Sequence, residues 1–190
     1  SSSLVTSDAA IADFQLQLYT HSLDIVFDKK CTRKWQTQFG LQSSQQSNER
    51  AGRYLVPNYF KYQTGAFGIL EFNSDKWKVD AGVRYDLVQL NTFLFENKVL
   101  IKPRHTFQNF SGSIGASRAF GHHFILKANA GSAWRPPSVS ELYSNGLHHG
   151  AAAIEIGDSN LVQEKAYNLI VTANYHNHKN LTIEVSIYNN

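Results

Sequence analysis

Two adjacent histidines, His148 and His149, are the side chains of this sequence best suited to ligand chemistry. Neutral imidazoles bind zinc, copper and iron. Neighbouring side chains on an extended backbone point to opposite sides, so both could hold one ion only where the loop bends. A plain loop role stays open for both. His122-His123 and the pair His176 and His178 fall in short polar links, where solvated side chains are the simpler reading. Glu141, Glu155 and Glu164 bracket His148-His149, with Arg135 and Lys165 near enough in sequence to pair with them. No nucleophile–base pattern accompanies these carboxylates, so backbone donors and cations of the loop are their expected partners. Arg135-Pro136-Pro137 must end any strand before it, because proline lacks a ladder donor and fixes its own φ. Ser111-Gly112-Ser113-Ile114-Gly115 lacks the Gly-Lys-Ser/Thr ending and the helix of a phosphate loop, and reads better as small residues inside a strand. The single cysteine, Cys31, leaves these residues with no internal disulfide and no Cys-based zinc site.

The segments that would position these groups alternate with period two, and helical periodicity is hard to find. Trp77, Val79, Ala81, Val83, Tyr85 and Leu87 share one face of a strand; Lys78, Asp80, Gly82, Arg84 and Asp86 share the other. Phe124 to Ala130, Leu169 to Tyr175, Leu181 to Ile187, Trp35 to Leu41 and Phe60 to Phe72 read in the same way. Near the start, Phe14, Leu16 and Leu18 keep one phase while Leu23, Ile25 and Phe27 keep the other, so a bulge near Tyr19 to Ser22 or two short segments are expected. Short turn-like links (Asn73 to Lys76, Gly121 to His123, His176 to Asn180) alternate with long ones (Ser43 to Asn58, Gln89 to Thr106, Arg135 to Val162). The first long link contains the Ser/Gln-rich tract Gln42 to Ser47. Short turns on one side and long loops on the other mark up-and-down membrane barrels, and segments of about ten residues suit a tilted crossing strand. Eight strands or so are expected. The lumenal charges Lys78, Asp80, Arg84 and Asp86 would then face a water-filled interior.

The succession Trp134, Arg135, Pro137, Glu141-Leu142-Tyr143, Gly146, His148-His149, Glu155-Ile156-Gly157-Asp158, Leu161 and Glu164-Lys165 resembles a late loop of the TonB-dependent outer-membrane receptors. Pro57-Asn58-Tyr59, Gly65-Ala66-Phe67 and Ala81 to Asp86 are similar to the same family upstream. The resemblance implies an all-β, antiparallel up-and-down transmembrane barrel, of which residues 1–190 would supply about eight of 22 strands. It implies active transport and no catalytic residues. The implied ligand is an iron-siderophore or similar metal complex, with zinc or haem as the alternative because His148 and His149 precede Glu-x-Gly. The implied partners are the TonB energy-transducing protein, outer-membrane lipid and the transported metal complex. No resident cofactor is implied. The family's plug domain, TonB box and terminal aromatic are not found here. Together with Ser1 in place of Met and no signal core, this makes a piece of a longer chain the expectation.

Composition is compatible with this reading and excludes some others. Aromatics make up 13% of the residues, a supply that membrane-interface girdles would use. The net charge of +3 is scattered, with no basic stripe to bind nucleic acid. Apolar runs are a few residues long, far below the ~20 of a spanning helix. A small outer-membrane barrel enzyme and a soluble β-barrel or sandwich binder remain as rivals. The enzyme would need a catalytic constellation, and the soluble binder would need its apolar faces buried.

Overall fold

The computed structural model describes residues 14–52, 56–96, 99–121, 123–148, 153–176 and 182–189. Its strands are β1 (Phe14–Lys30), β2 (Trp35–Gly52), β3 (Asn58–Asn73), β4 (Trp77–Glu96), β5 (Val99–Ile101), β6 (Arg104–Phe120) and β7 (Phe124–Arg135). A short helix, α1 (Val139–Tyr143), leads to a hairpin of β8 (Asn145–His148) and β9 (Ala153–Ile156), then to β10 (Glu164–His176) and β11 (Thr182–Asn189). The main sheet runs β1-β2-β3-β4-β6-β7-β10-β11, with β5 folded back on the end of β4. Every neighbour pair in that order is antiparallel, so the chain goes up and down through eight successive strands.

Cross-strand partners project from the same face of a sheet. The registers therefore assign the residues of the main ladder to two surfaces. One carries Phe39, Leu41, Ala66, Leu70, Val79, Val83, Ile114, Ala116, Leu126, Ala128, Leu169 and Val171. The other carries Gln42, Lys78, Asp80, Arg84, Asp86, Asn109, Ser113 and Asn129. Most of the first surface is uncovered: Val83 is 65% exposed and Ile114 57%. The accessible area of 14025 Å² compares with about 9,100 Å² expected for a compact monomer of this mass. Much of the excess reflects an open sheet with an apolar face that nothing among the described residues buries.

Aromatic rings bound that face at both ends. Trp35, Phe72, Trp77, Phe120, Phe124 and Tyr175 lie toward the short turns; Phe60, Tyr62, Tyr85, Phe110 and Tyr167 lie toward the long loops. Phe110 and Phe120 are ten residues apart on β6, about 33 Å along a strand. At a tilt of roughly 40° this spans about 25 Å, the height of an outer-membrane barrel's apolar band. The short turns are tightly made: Gly121 adopts φ +66, where a side chain would strain the backbone, and Ser74 N–H donates to Trp77 O at 2.8 Å.

Several sequence expectations need correction. The link read as Ser43 to Asn58 is mostly strand: β2 continues to Gly52 with its Ser/Gln tract paired to β1, Tyr19 opposite Ser47. The link read as Gln89 to Thr106 is mostly the end of β4, β5 and the start of β6. Strands β1 to β4 and β6 run 16 to 20 residues rather than about ten. No bulge interrupts β1, whose register is continuous from Phe14–Gly52 to Lys30–Gln36. The phase change occurs because the strand outruns the apolar band, and above it neither face is required to be apolar. The link after β7 is long, and its described segment around α1 folds inward onto Leu90.

Candidate functional site

The ladder between β6 and β7 stops at Ser113–Gly131, where the Ser132 hydroxyl takes over by accepting the Gly112 N–H at 3.0 Å. Pro136 and Pro137 then turn the chain off the wall, since neither can donate to a neighbouring strand. Ser138 caps α1. Its Oγ accepts from Glu141 N at 3.2 Å, and the Glu141 carboxylate accepts from Ser138 N at 2.7 Å, which completes a capping box. Arg135 holds this helix to the wall. Its guanidinium donates to both Glu141 oxygens at 2.8–3.0 Å and to Glu164 Oε2 at 2.9 Å, and Glu164 is its ladder partner at the start of β10. The Arg135 guanidinium, followed by the Ser138 N–H and hydroxyl, pulls the Glu141 carboxyl down to about 2.

Apolar contact does most of the holding. Leu142 and Val139, 1% and 7% exposed, pack on Leu90 of β4, with Val56, Tyr59 and Tyr143 around them. Each buried aliphatic side chain contributes about 1.5–3 kcal/mol. The cap adds about 1 kcal/mol, and the half-exposed Arg135 pairs add less than that. Tyr143 meets the His105 ring through its hydroxyl, and burial raises its pKa. The β8–β9 hairpin then returns against α1: Gly157 N–H donates to Ser144 O at 2.7 Å and Asp158 N–H to Glu141 O at 2.9 Å. A Cβ on Gly157 would collide with the backbone of Leu142 and Tyr143, so only glycine allows that approach. Asp158 Oδ1 accepts from Asn160 N at 2.9 Å and closes the turn toward β10.

Beneath this lid, on the inward face, lies a polar cluster. Arg84 pairs with Asp86 at 2.7–2.9 Å and also meets Gln42, and the Trp134 indole donates to Asp86 Oδ2 at 3.2 Å. Asp86 is 3% exposed, and the Arg84 side chain is 30% exposed. The charge pair is thus satisfied but leaves guanidinium surface toward the interior. A groove of about 430 Å³ beside it is lined by polar Gln38, Gln42, Arg84 and three serines and by apolar Phe67 and Ile69, among others. A second cavity, about 270 Å³, lies between Lys61, Phe107 and the Arg135–Val139 segment.

The structure thus brings Trp134, Arg135, Pro137, Glu141, Leu142, Tyr143, Gly157 and Glu164 into one assembly. Leu161 is 40% exposed beside it. Gly146 pairs with Glu155 in the hairpin and His148 with Ala153; the side chains of Glu155 and His148, and all of His149, lie outside the described residues. Among the described residues no group of three His, Cys, Asp or Glu could hold a metal ion. The contact of Trp134 with Asp86, 48 residues apart, has no signal in sequence. The capping box does have one, Ser138-x-x-Glu141, and could have marked α1.

A long-stranded up-and-down sheet with an aromatic-bounded apolar face, a polar inner face and one inward-folded rim loop defines the wall of a membrane-type β-barrel. The family described as TonB dependent receptor-like, beta-barrel matches residues 3–190, and the chain belongs to that family, whose members are outer-membrane proteins. The chain is similar to the solved structure of the copper transporter OprC, with TM-score 0.75 and 16% identity over 92% of this chain and 30% of that one. It is also similar to a double mutant of the Serratia marcescens hemophore receptor HasR in complex with its hemophore HasA and heme, with TM-score 0.71, 15% identity, and 92% and 33% covered. The FrpB iron transporter from Neisseria meningitidis (F3-3 variant) gives TM-score 0.66, 18% identity, and 91% and 28% covered. At such identities the likeness establishes the fold. The chain spans about a third of the length of these relatives.

Proposed function

We propose that this chain is part of the barrel wall of an outer-membrane receptor that takes up an iron-siderophore or similar metal complex, energised through TonB. The supporting observation is the rim loop 136–163. It is anchored inward by Leu142 and Arg135, above an interior strip that presents Arg84, Gln42 and serine hydroxyls. A guanidinium with free surface beside Gln42 and the Ser111 and Ser113 hydroxyls suits an anionic, oxygen-rich chelate. The loop supplies shape and part of the recognition, and no covalent chemistry is assigned to any residue. A plug domain and further strands would complete the barrel. The relatives are a copper transporter, a hemophore receptor and an iron transporter, which supports a metal-bearing ligand without choosing among them.

A second reading, zinc or haem, rests on His148 at the tip of the β8–β9 hairpin and on its neighbour His149. The test is uptake of radiolabelled ferric siderophore, zinc and haem by cells expressing the whole protein, with and without TonB. TonB-dependent accumulation of ferric siderophore, unchanged when both histidines are replaced by Ala, is expected. Accumulation without TonB overturns the transport reading. Loss of zinc or haem uptake in the double-alanine variant favours the second reading.

A further inference from the structure

The apolar outward face of β6 carries one cation within the aromatic belt at the short-turn end. Arg118 is in register with Trp77 of β4 and Leu126 of β7, so its side chain leaves the sheet on the apolar side. Its guanidinium carbon stands 4.9 Å from the Trp77 ring centroid and 4.7 Å from that of Phe120. Two rings therefore fix the guanidinium, each attraction being worth about 0.5–1 kcal/mol at exposed sites. They do not neutralise it. Among the described residues no carboxylate lies within ion-pair distance of Arg118, although other arginines of the chain, Arg84 and Arg135, have such partners. Lys76, whose carbonyl accepts the Ala119 N–H at 2.9 Å, adds a second cation to the same stretch of rim.

Position along the strand argues for a ligand rather than a misplaced charge. Arg118 is two residues from the end of β6 at Phe120, about 7 Å along the strand. A lipid-facing arginine costs about 2–4 kcal/mol at the bilayer midplane and about 0–1 near the interface. At that level the abundant anion is the phosphodiester of a phospholipid headgroup, and a planar guanidinium fork matches two of its oxygens. We propose that Arg118, framed by Trp77 and Phe120, is a binding site for the phosphate of a phospholipid headgroup at the short-turn membrane interface. This rests on the membrane-barrel reading above. The site would set the depth of the barrel in the bilayer at that edge.

The test is lipid binding to the whole protein in detergent, read by native mass spectrometry with phosphatidylglycerol, with a phosphate-free galactosyl diacylglycerol of the same chains, and with inorganic phosphate as competitor. Phosphatidylglycerol should bind wild type, and Arg118→Gln should weaken one binding step by about tenfold, the loss of a charge-assisted hydrogen-bonded pair. Trp77→Leu, which keeps the charge and removes one ring, should weaken it about threefold. Galactolipid binding should be the same in all three proteins, and millimolar inorganic phosphate should not displace the lipid. Equal phosphatidylglycerol binding by wild type and Arg118→Gln overturns the site. Displacement by inorganic phosphate overturns the lipid assignment in favour of a free-anion site. A wild-type protein that stays in the aqueous phase on detergent phase separation overturns the membrane reading itself, which separates that failure from the other two.

Discussion

Replacing Leu142 with Ala should undock the rim loop while leaving the barrel wall intact. Leu142 is 1% exposed and fills the space between Leu90 and Val139, so its truncation costs about 2–5 kcal/mol in lost transfer energy and cavity. Among the described residues of the loop the fully buried apolar anchors are Leu142 and Val139, together about 3–6 kcal/mol, with the cap adding about 1 kcal/mol and the exposed Arg135 pairs little. One truncation therefore removes a large share of what holds the loop against its conformational entropy. Four amides report docking: Leu142 N–H to Ser138 O, Ser144 N–H to Ser140 O, Gly157 N–H to Ser144 O and Asp158 N–H to Glu141 O. By native-state hydrogen exchange, a loss of about 2 kcal/mol lowers their protection by roughly thirtyfold. Amides in the β4–β6 ladder should stay protected, because local opening of the loop breaks none of those pairs. Leu161→Ala, at a position 40% exposed, should change nothing. Unchanged protection at the four loop amides in Leu142→Ala, or loss of protection throughout the wall, would refute the reasoning.

Other expectations follow from the same geometry. Gly157→Ala should disrupt the loop as severely as Leu142→Ala, since the new methyl meets the backbone of Leu142 and Tyr143 rather than a movable side chain; protease cleavage between residues 136 and 163 would report it. The carboxyl of Glu141, held down to about 2 chiefly by Arg135, should titrate near there by carbon NMR and move toward ~4.3 in Arg135→Gln. Because the folded value is the lower one, its contribution to loop docking is complete above the ordinary carboxylate range and is lost as pH falls toward 2. On the inner wall, Asp86→Ala should cost more than Trp134→Phe. The first strands the Arg84 guanidinium and the Trp134 N–H together, about 2–3 kcal/mol; the second removes one neutral donor, about 1 kcal/mol. Denaturant unfolding in lipid should rank them in that order.

How much of this was legible in the sequence depended on where a strand meets lipid. Between the aromatic belts one face must be apolar and the other polar, so period two is written into Trp77 to Leu87 and Phe124 to Ala130, and both faces were assigned correctly from it. Beyond the belts the pairing continues without an apolar face. Ser43 to Gly52 is as regular a strand as Trp35 to Leu41, yet its Ser, Gln and Asn give no periodic signal. Strand length was therefore underestimated and loop length overestimated by the same residues. In the rim loop the motif residues were visible, and so were the expected cationic partners of Glu141 and Glu164. What could not be read was the inward fold that lays Leu142 on Leu90 and Trp134 over Asp86. Those contacts join segments far apart in sequence, and period two says which face a strand residue occupies but not which distant residue it will meet.

The central claim, that one face of this sheet meets lipid and the other a wet interior, is best tested by spin-label accessibility along β4. Cys31 is exposed and must first be replaced by Ser. Single cysteines at positions 79 to 84, labelled in the whole protein in lipid vesicles, would be read with oxygen and with a water-soluble nickel chelate. Labels at Val79, Ala81 and Val83 should favour oxygen, and labels at Asp80, Gly82 and Arg84 should favour the nickel chelate or be shielded from both, with a strict period of two. Equal access of the nickel chelate to both sets would contradict the account, since a sheet wetted on both faces is not the wall of a membrane barrel.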